Sequence, residues 1–219
     1  MPAEGTLRDG NQAGFELIET LRWEPETGFI RLERHLARLQ ASAEVLGFAY
    51  SRATVEEVLC GAVGGAAPLR VRLTLARDGK AEVTKQPFTP LAPDAVWTVR
   101  IAQTRLDSGD PMLRHKTTRR EVCDRARAEF SRDDADEVLL LNERGEACEG
   151  TITNIFAERG DGRLLTPALE CGLLPGVLRG ELIATGKATE GILTVEDLRA
   201  AKAIFVGNSL RGLIEARLA

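Results

Sequence analysis

The chain has 219 residues, and its formal net charge of −4 gives no overall attraction to nucleic acid or to an anionic membrane. Hydrophobic residues make up 43% and charged residues 28%, as in soluble globular proteins, and no segment approaches the roughly 18 uninterrupted apolar residues of a membrane span. The first residues lack the apolar segment of a signal peptide, so we expect a cytosolic protein. The four cysteines form no CxxC pair, so we expect free thiols and no metal site. Small-molecule chemistry is therefore favoured.

The first hundred residues predict strands and helices with antiparallel pairing. Two strands over 15–23 and 28–32 flank the turn-forming segment EPETG, and a helix follows in ERHLARLQASAEVLGF, where apolar residues recur at helical spacing. A second helix is expected in ATVEEVLCGAV, with Thr54 as its cap. The next segment alternates apolar and polar residues about Asp78-Gly79, which predicts a hairpin.

The segment QTRLDSGDPMLRHK is the best candidate linker, and it divides the chain into lobes of residues 1–107 and 108–219. Beyond it we predict a helix in TTRREVCDRARAEF, a hairpin in DEVLLLNERGEACEGTITNIFA, and a loop leading to the helix VLRGELIAT. Short strands and one helix alternate from there to the end. This order predicts an α+β fold of two lobes with a cleft between them.

One residue of the predicted hairpin is unusual for a strand. Glu149 lies at the start of the returning strand, immediately before Gly150. A buried carboxylate in that place is costly unless a cation faces it. We therefore expect Glu149 to have a cationic partner.

Lys116, in the segment RHKTTRR, has two interpretations. It is either a solvated surface lysine or a Schiff-base lysine, whose amine must be desolvated or close to other cations to be neutral and nucleophilic. Arg114, Arg119 and Arg120 would supply such a field, or they form a solvated basic face.

The segment GLLPGVLRG predicts an anion site at the start of a helix. Glycine and proline precede the helix, so the backbone amides of Val177 and Leu178 would point outward and could bind an anion, although a plain turn into a helix has the same pattern. The segment FVGNSLRG places Ser209 in a second turn of this kind. Arg38 lies four residues after Arg34 on one helix side, and it either makes surface contacts or reaches inward to a dianion.

In their order along the chain, five segments resemble one family. RHLARL, HKT, DEVLLLNERGEACEGTITNIF, LLPGVLRG and FVGNSLRG resemble the class IV (fold-type IV) pyridoxal-phosphate aminotransferases, a family that includes branched-chain aminotransferases, D-amino-acid aminotransferases and 4-amino-4-deoxychorismate lyases. The resemblance runs from about Phe15 to Leu213. It implies a two-lobed α+β fold like that of D-amino-acid aminotransferases, with pyridoxal 5′-phosphate in the cleft between the lobes, and a homodimer.

The resemblance also implies roles for individual residues. Lys116 matches the cofactor lysine and proton carrier, Glu149 matches the carboxylate that pairs with the pyridine nitrogen, and Arg38 matches the phosphate arginine. The protonated ring nitrogen would then be the cation expected opposite Glu149. The other implied contacts are to the phosphate, from the backbone of Val177 and Leu178 and the hydroxyl of Ser209, and to the ring face, from Leu174.

The implied activity is that of an aminodeoxychorismate-lyase-like enzyme or a transaminase of small amino acids. The alternative, from another class, is a non-catalytic pyridoxal-phosphate carrier or regulatory protein. Ile18 falls where D-amino-acid aminotransferases present an aromatic hydroxyl, and the substrate carboxylate has three candidate partners in Arg119, Arg120 and Arg211. A nucleic-acid binder using the basic run 114–127 is disfavoured by the acidic total and the few aromatic residues.

Overall fold

The computed structural model describes residues 14–160 and 162–219. These residues group into two compact units, one running up to Thr89 and including Lys116–Arg119, the other comprising Pro90–His115 and Arg120–Ala219. The boundary predicted between residues 107 and 108 differs from this grouping, because it assigns residues 90–107 to the first lobe and residues 116–119 to the second. The predicted boundary stays a prediction. Residues 1–13 and residue 161 lie outside the described residues.

The first unit contains a four-stranded antiparallel sheet, in the order β2-β1-β3-β4, and two helices. Its elements are β1 (Leu17–Glu24), β2 (Gly28–Phe29), α1 (Leu32–Leu46), α2 (Arg52–Ala62), β3 (Leu69–Leu75) and β4 (Ala81–Pro87). The predicted strands, helices and hairpin of this region are thereby confirmed. The hairpin turn contains Gly79 at φ 90°, a conformation that favours glycine.

Two local predictions in this unit are wrong in detail. The second strand ends at Phe29 rather than at residue 32, because the backbone turns at Arg31 (φ 60°) into α1. The cap of α2 is Ser51 rather than Thr54, because the helix begins at Arg52 and the extended Ser51 accepts a hydrogen bond from the Thr54 amide in the first turn.

The core of the first unit lies between the sheet and the helices α1 and α2. Alternate residues of the strands face the helices, since successive strand side chains point to opposite faces. The buried apolar residues of this core include Leu17, Leu21, Leu36, Leu39, Val71, Leu73 and Leu75.

The second unit is built on an eight-stranded mixed sheet in the order β10-β9-β8-β11-β12-β5-β6-β7. Its elements are β5 (Val96–Leu106), α3 (Glu121–Ala128), β6 (Glu137–Asn142), β7 (Ala147–Gly150), β8 (Asn154–Glu158), β9 (Leu164–Pro167), α4 (Val177–Ala184), β10 (Ala188–Gly191), α5 (Val195–Ala200), β11 (Ala203–Asn208) and β12 (Gly212–Leu218). A pairing between Glu149 and Asn154 joins β7 to β8 and closes the sheet on itself.

Strand β5 is the element that departs most from the antiparallel pairing predicted for the first hundred residues. It runs parallel to both of its neighbours, β6 and β12. The two sheets with their helices confirm the predicted α+β class. Within the described ranges, no helix combines the length and the apolar character needed to cross a membrane.

Candidate functional site

In the first unit, strand β1 anchors the segment that carries Lys116. The Ile18 amide donates to the carbonyl of Lys116 at 2.9 Å, and the Thr118 amide donates to the carbonyl of Glu16 at 2.9 Å. The Lys116 residue is half-buried. Its backbone is therefore fixed by a strand of the core rather than by the loop that precedes it.

The same strand binds Arg38 through a buried carboxylate. Arg38 Nε donates to Glu19 Oε1 at 2.9 Å, and Nη2 donates to Oε2 at 2.6 Å. His35 Nδ1 lies 2.6 Å from Glu19 Oε2. Side-chain exposure is 1% for Glu19, 1% for His35 and 11% for Arg38. Arg38 thus points inward with a bidentate geometry, whereas Arg34 on the same helix is exposed.

Glu19 is ionised in this cluster, although burial alone would favour its neutral form. Desolvation raises the pKa of the carboxyl, but the charge of Arg38 and the hydrogen bonds from His35 and Arg38 outweigh it and lower the pKa to about 2. Since the carboxylate can only accept, the proton of the short contact belongs to His35 Nδ1. Glu19 was not among the residues predicted for the site, although its place between Leu17 and Leu21 puts it on the core face of β1.

In the second unit, the structure brings Glu149 and Leu174 together. Glu149 is half-buried, and its Oε1 accepts a hydrogen bond from the Leu174 amide at 3.2 Å. Asn154, the pairing partner of Glu149 on β8, donates its Nδ2 to the Leu174 carbonyl at 3.1 Å. Residues of β7 and β8 therefore bind the Leu174 backbone at its amide and at its carbonyl group.

The loop at Leu174 leads directly into the first turn of α4. Gly176 is the N-cap of this helix, and no described side chain caps it by a hydrogen bond. A Cβ atom at Gly176 would lie 1.8 Å from Asn154 Oδ1, so the backbone can approach Asn154 this closely only with glycine at position 176. The next residues, Val177 and Leu178, are buried. A helix start of this kind presents backbone amides that suit an anion.

The turn between β11 and β12 approaches the same helix. A Cβ atom at Gly207 would lie 3.0 Å from Leu178 Cδ2 and 2.8 Å from the Gly212 carbonyl oxygen, so the turn and the helix pack closely. Ser209 is buried in this turn, and Asn208 Oδ1 accepts hydrogen bonds from the amides of the two residues that follow Ser209. The two segments predicted to bind phosphate are thus neighbours in the second unit.

A turn over residues 151–153, between β7 and β8, is held from inside by Glu137. This carboxylate is fully buried, with 0% exposure. Its Oε1 accepts from the amide and hydroxyl of Thr151 at 3.0 and 2.6 Å, and its Oε2 accepts from the Ile152 amide at 3.1 Å and the Thr153 hydroxyl at 2.8 Å. Glu137 was not among the residues predicted for the site either. The signal was an acidic residue directly before the apolar run VLLL.

The outer side of this turn is held by two predicted site segments. Arg120 Nη2 donates to the Thr151 carbonyl at 2.5 Å, and Asn208 Nδ2 donates to the Ile152 carbonyl at 3.1 Å. The Ile152 side chain is 50% exposed, although its backbone is held on both sides. The turn therefore connects Glu149 to the chain around Arg120 and to the turn that contains Ser209.

The three arginines considered for a substrate carboxylate have different surroundings. Arg119, in the first unit, lies over the ring of Phe15 at 5.7 Å, and Arg211, in the second, lies over the ring of Trp97 at 5.8 Å. Arg120 contributes to holding the turn after β7. Within the described residues, no group of three or more His, Cys, Asp and Glu side chains is arranged to hold a metal ion.

Each unit carries groups whose chemistry suits part of pyridoxal 5′-phosphate. The first unit offers a half-buried lysine and an arginine held in a fixed plane. The second unit offers a half-buried carboxylate and a glycine-capped helix start that a Cβ atom would obstruct. These groups match an aldehyde, a dianionic phosphate and a protonated ring nitrogen in chemical type.

Comparison with known proteins gives consistent matches. The family model "Amino-transferase class IV" matches residues 16–218. A "Putative aminodeoxychorismate lyase" of Schizosaccharomyces pombe is 31% identical over 203 residues, which are 89% of this chain and 86% of that protein. The solved structure of a "Putative amino-acid aminotransferase" from Mesorhizobium loti is 59% identical, with a TM-score of 0.92, and the match covers 94% of this chain and all of that one. A "putative branched-chain amino acid aminotransferase" from Thermotoga maritima is 28% identical, with a TM-score of 0.81, over 93% of this chain and 76% of that one.

Proposed function

This chain belongs to the class IV aminotransferase family and is an enzyme of that family, and we propose that it uses pyridoxal 5′-phosphate to transfer the amino group of a small amino acid. The family and the fold-type IV class expected from the sequence are confirmed. The observation that carries the transaminase proposal is the 59% identity, over 94% of the chain, to the "Putative amino-acid aminotransferase" from Mesorhizobium loti.

Three residues carry the chemistry in this proposal. Lys116 is the amine that would attach the cofactor, and it would then take a proton from the substrate Cα and deliver it to C4′ of the cofactor. The Glu149 carboxylate pairs with the ring nitrogen and keeps it protonated, and Arg38 binds the phosphate. The cofactor itself supplies the electron sink for charge at Cα.

The remaining contacts come from the loop and helix of the second unit. The amides of Val177 and Leu178 and the Ser209 hydroxyl complete the phosphate site, and Leu174 packs on the ring face. Two observations support this part of the proposal: Gly176 lies too close to Asn154 for any side chain, and the loop that leads into α4 is hydrogen-bonded to Glu149.

A second candidate function is an aminodeoxychorismate-lyase-like activity, which releases pyruvate without net transamination. It is favoured by the match to the "Putative aminodeoxychorismate lyase" of Schizosaccharomyces pombe, which covers 89% of this chain and 86% of that protein. The non-catalytic carrier has no support among these relatives, and it serves as an outcome of the test below.

The test is a half-reaction with the purified, cofactor-loaded protein. A panel of small amino acids is added singly, and conversion of the cofactor to pyridoxamine phosphate is followed by absorbance and chromatography. Aminodeoxychorismate is added in a separate experiment, and pyruvate is measured without an amino acceptor. Conversion by amino acids supports the transaminase, and catalytic pyruvate release supports the lyase.

Lys116→Ala is the inactive reference, and Lys202→Ala, at an exposed lysine, is its matched control. If the wild type binds cofactor stoichiometrically but performs neither reaction, both catalytic proposals fail and the carrier is favoured. The homodimer and the cytosolic location stay predictions; light scattering of the purified protein at several concentrations tests the first.

A further inference from the structure

The hydrogen bonds among Glu19, His35 and Arg38 fix the arginine more firmly than phosphate binding by itself requires. Arg38 uses two N–H groups on one edge of its guanidinium, and both go to the carboxylate of Glu19. The carboxylate in turn is fixed by the Nδ1–H of His35. All three residues belong to the first unit, where β1 and α1 supply them.

We propose that Glu19 is a positioning residue that fixes the guanidinium of Arg38 for the cofactor phosphate, with His35 fixing the carboxylate of Glu19. This inference rests on the proposed function, because it concerns the same cofactor. A phosphate bound by Arg38 takes its hydrogen bonds from the N–H groups that do not face Glu19, so the pairing selects which edge of the guanidinium meets the dianion.

Two effects of Glu19 on phosphate binding oppose one another. Its negative charge close to Arg38 weakens the attraction of the arginine for a dianion. Its hydrogen bonds keep Arg38 in place, however, and the side chain of Arg38 is only 11% exposed. Without the carboxylate, two hydrogen bonds that orient this long side chain are lost, and the guanidinium gains freedom to turn toward water. The positioning effect therefore dominates.

Glutamine cannot replace Glu19 in this geometry. The carboxylate accepts at Oε1 from Arg38 Nε and at Oε2 from both Arg38 Nη2 and His35 Nδ1. Glutamine has one acceptor oxygen and one NH₂ donor, and in either amide orientation its NH₂ group faces an N–H of Arg38. Two donors cannot occupy that distance, so Arg38 must move.

Strand β1 links this cluster to the candidate cofactor lysine. Glu19 follows Ile18, whose amide binds the carbonyl of Lys116. Adjacent residues of one buried strand thus hold the phosphate arginine by a side chain and the lysine segment by the backbone. A strand in the core is a rigid element, which suits it to fix two contacts to one ligand.

The test is a double-mutant cycle on cofactor affinity, made of wild type, Glu19→Gln, Arg38→Met and the double mutant. Equilibrium dialysis gives the dissociation constant for pyridoxal phosphate, and the ³¹P chemical shift of the bound phosphate reports its contacts. Glu19→Gln is expected to weaken binding about tenfold and to change the ³¹P shift, since one charge-assisted contact is worth about this much. In the Arg38→Met background the same substitution is expected to change affinity less than about twofold.

Two variants serve as matched controls. Glu24→Gln makes the same substitution on the same strand, in a pair with Arg22, and Arg34→Met makes the arginine substitution on an exposed part of α1. Both are expected to leave cofactor affinity unchanged. If Glu19→Gln does not fold, Glu19→Asp replaces it in the cycle, because it keeps the charge and shortens the reach to Arg38.

The outcomes separate this inference from the proposed function. If wild type does not bind pyridoxal phosphate, the proposed function fails. If wild type binds and Arg38→Met weakens binding, but Glu19→Gln leaves affinity unchanged or tightens it, the proposed function stands and the positioning role is overturned. An equal loss from Glu19→Gln in both backgrounds also overturns it, because the effect then does not act through Arg38.

Discussion

Replacing Glu137 with glutamine tests the hydrogen bonding of the turn after β7. The carboxylate is fully buried and accepts hydrogen bonds from the Val138 amide, from the amide and hydroxyl of Thr151, from the Ile152 amide and from the Thr153 hydroxyl. Glutamine keeps only one acceptor oxygen. Its NH₂ group is best tolerated at the Oε2 position, where the Thr153 hydroxyl can reverse and accept, whereas the Ile152 amide loses its acceptor.

The expected loss of stability follows from these contacts. The partly buried Ile152 amide loses its acceptor, at a cost between about 1 and about 3 kcal/mol, and the contacts that remain are weaker because hydrogen bonds to a charged acceptor exceed neutral ones by about 1 kcal/mol. The sum is about 2–4 kcal/mol in the free energy of unfolding. For a chain of 219 residues this corresponds to a fall in melting temperature of about 5–15 °C.

Thermal unfolding by differential scanning fluorimetry measures this effect, and urea unfolding checks it. The matched control is Asp136→Asn, which removes the same charge at the neighbouring, exposed residue and keeps an oxygen able to accept from the Thr98 amide. We expect the control to shift the melting temperature by less than about 2 °C. A shift for Glu137→Gln no larger than that of the control would refute the idea that the carboxylate holds the turn.

Four further predictions concern the remaining site residues. Lys116→Ala is expected to abolish the pyridoxyl adduct found by borohydride reduction and peptide mapping; an adduct on another lysine in the wild type would overturn the assignment. Glu149→Gln is expected to retain cofactor absorbance but to lose at least about tenfold in turnover, about 1.4 kcal/mol in barrier, because the electron sink weakens; wild-type turnover would exclude Glu149 as the ring partner. Gly176→Ala is expected to lower the free energy of unfolding by about 1–3 kcal/mol and to weaken cofactor binding, because the new Cβ displaces the Asn154 side-chain amide. If calorimetry shows an unchanged cofactor affinity, the start of α4 is not part of the phosphate site. Because the folded pKa of Glu19 lies near 2, below its usual 4.5, its stabilisation is present above about pH 4.5 and is lost as the pH falls toward 2, so the melting temperatures of wild type and Glu19→Gln should converge over that range.

The elements that the sequence predicted well are those determined by neighbouring residues. The helical spacing of α1 and the dipeptide Asp78-Gly79 are local signals, and the structure confirms both. Strand β5 was not predicted as an element, and the linker predicted from Gln103 onward overlaps its last four residues. It pairs in parallel with β6 and β12, which begin at Glu137 and Gly212, and no local pattern indicates which distant strand lies beside it.

The candidate site shows the same division between local and distant signals. Lys116, Arg38 and Glu149 stand in short segments that a family resemblance can recognise. Glu19 and Glu137 belong to no such segment, and what makes them informative is burial, which depends on the strands and helices packed around them. The alternation of residues in β1 places Glu19 on the core face, so the sequence pattern could have indicated a carboxylate that is costly to bury. It could not have indicated that Arg38 is the partner of this carboxylate.

The two missed carboxylates explain how groups on irregular segments acquire fixed positions. Arg38 has a long, flexible side chain, and the turn over residues 151–153 is not part of a helix or strand, so neither is rigid by itself. In each case a glutamate on a buried strand accepts several hydrogen bonds, from the Arg38 side chain or from the turn, and the low-dielectric surroundings make those bonds costly to break. Burying a carboxylate is tolerated only when its acceptors are satisfied, so each glutamate is stable in the geometry that also holds its partner in place. Substitutions at these two positions should therefore disturb cofactor binding although, in the proposed site, neither side chain contacts the cofactor.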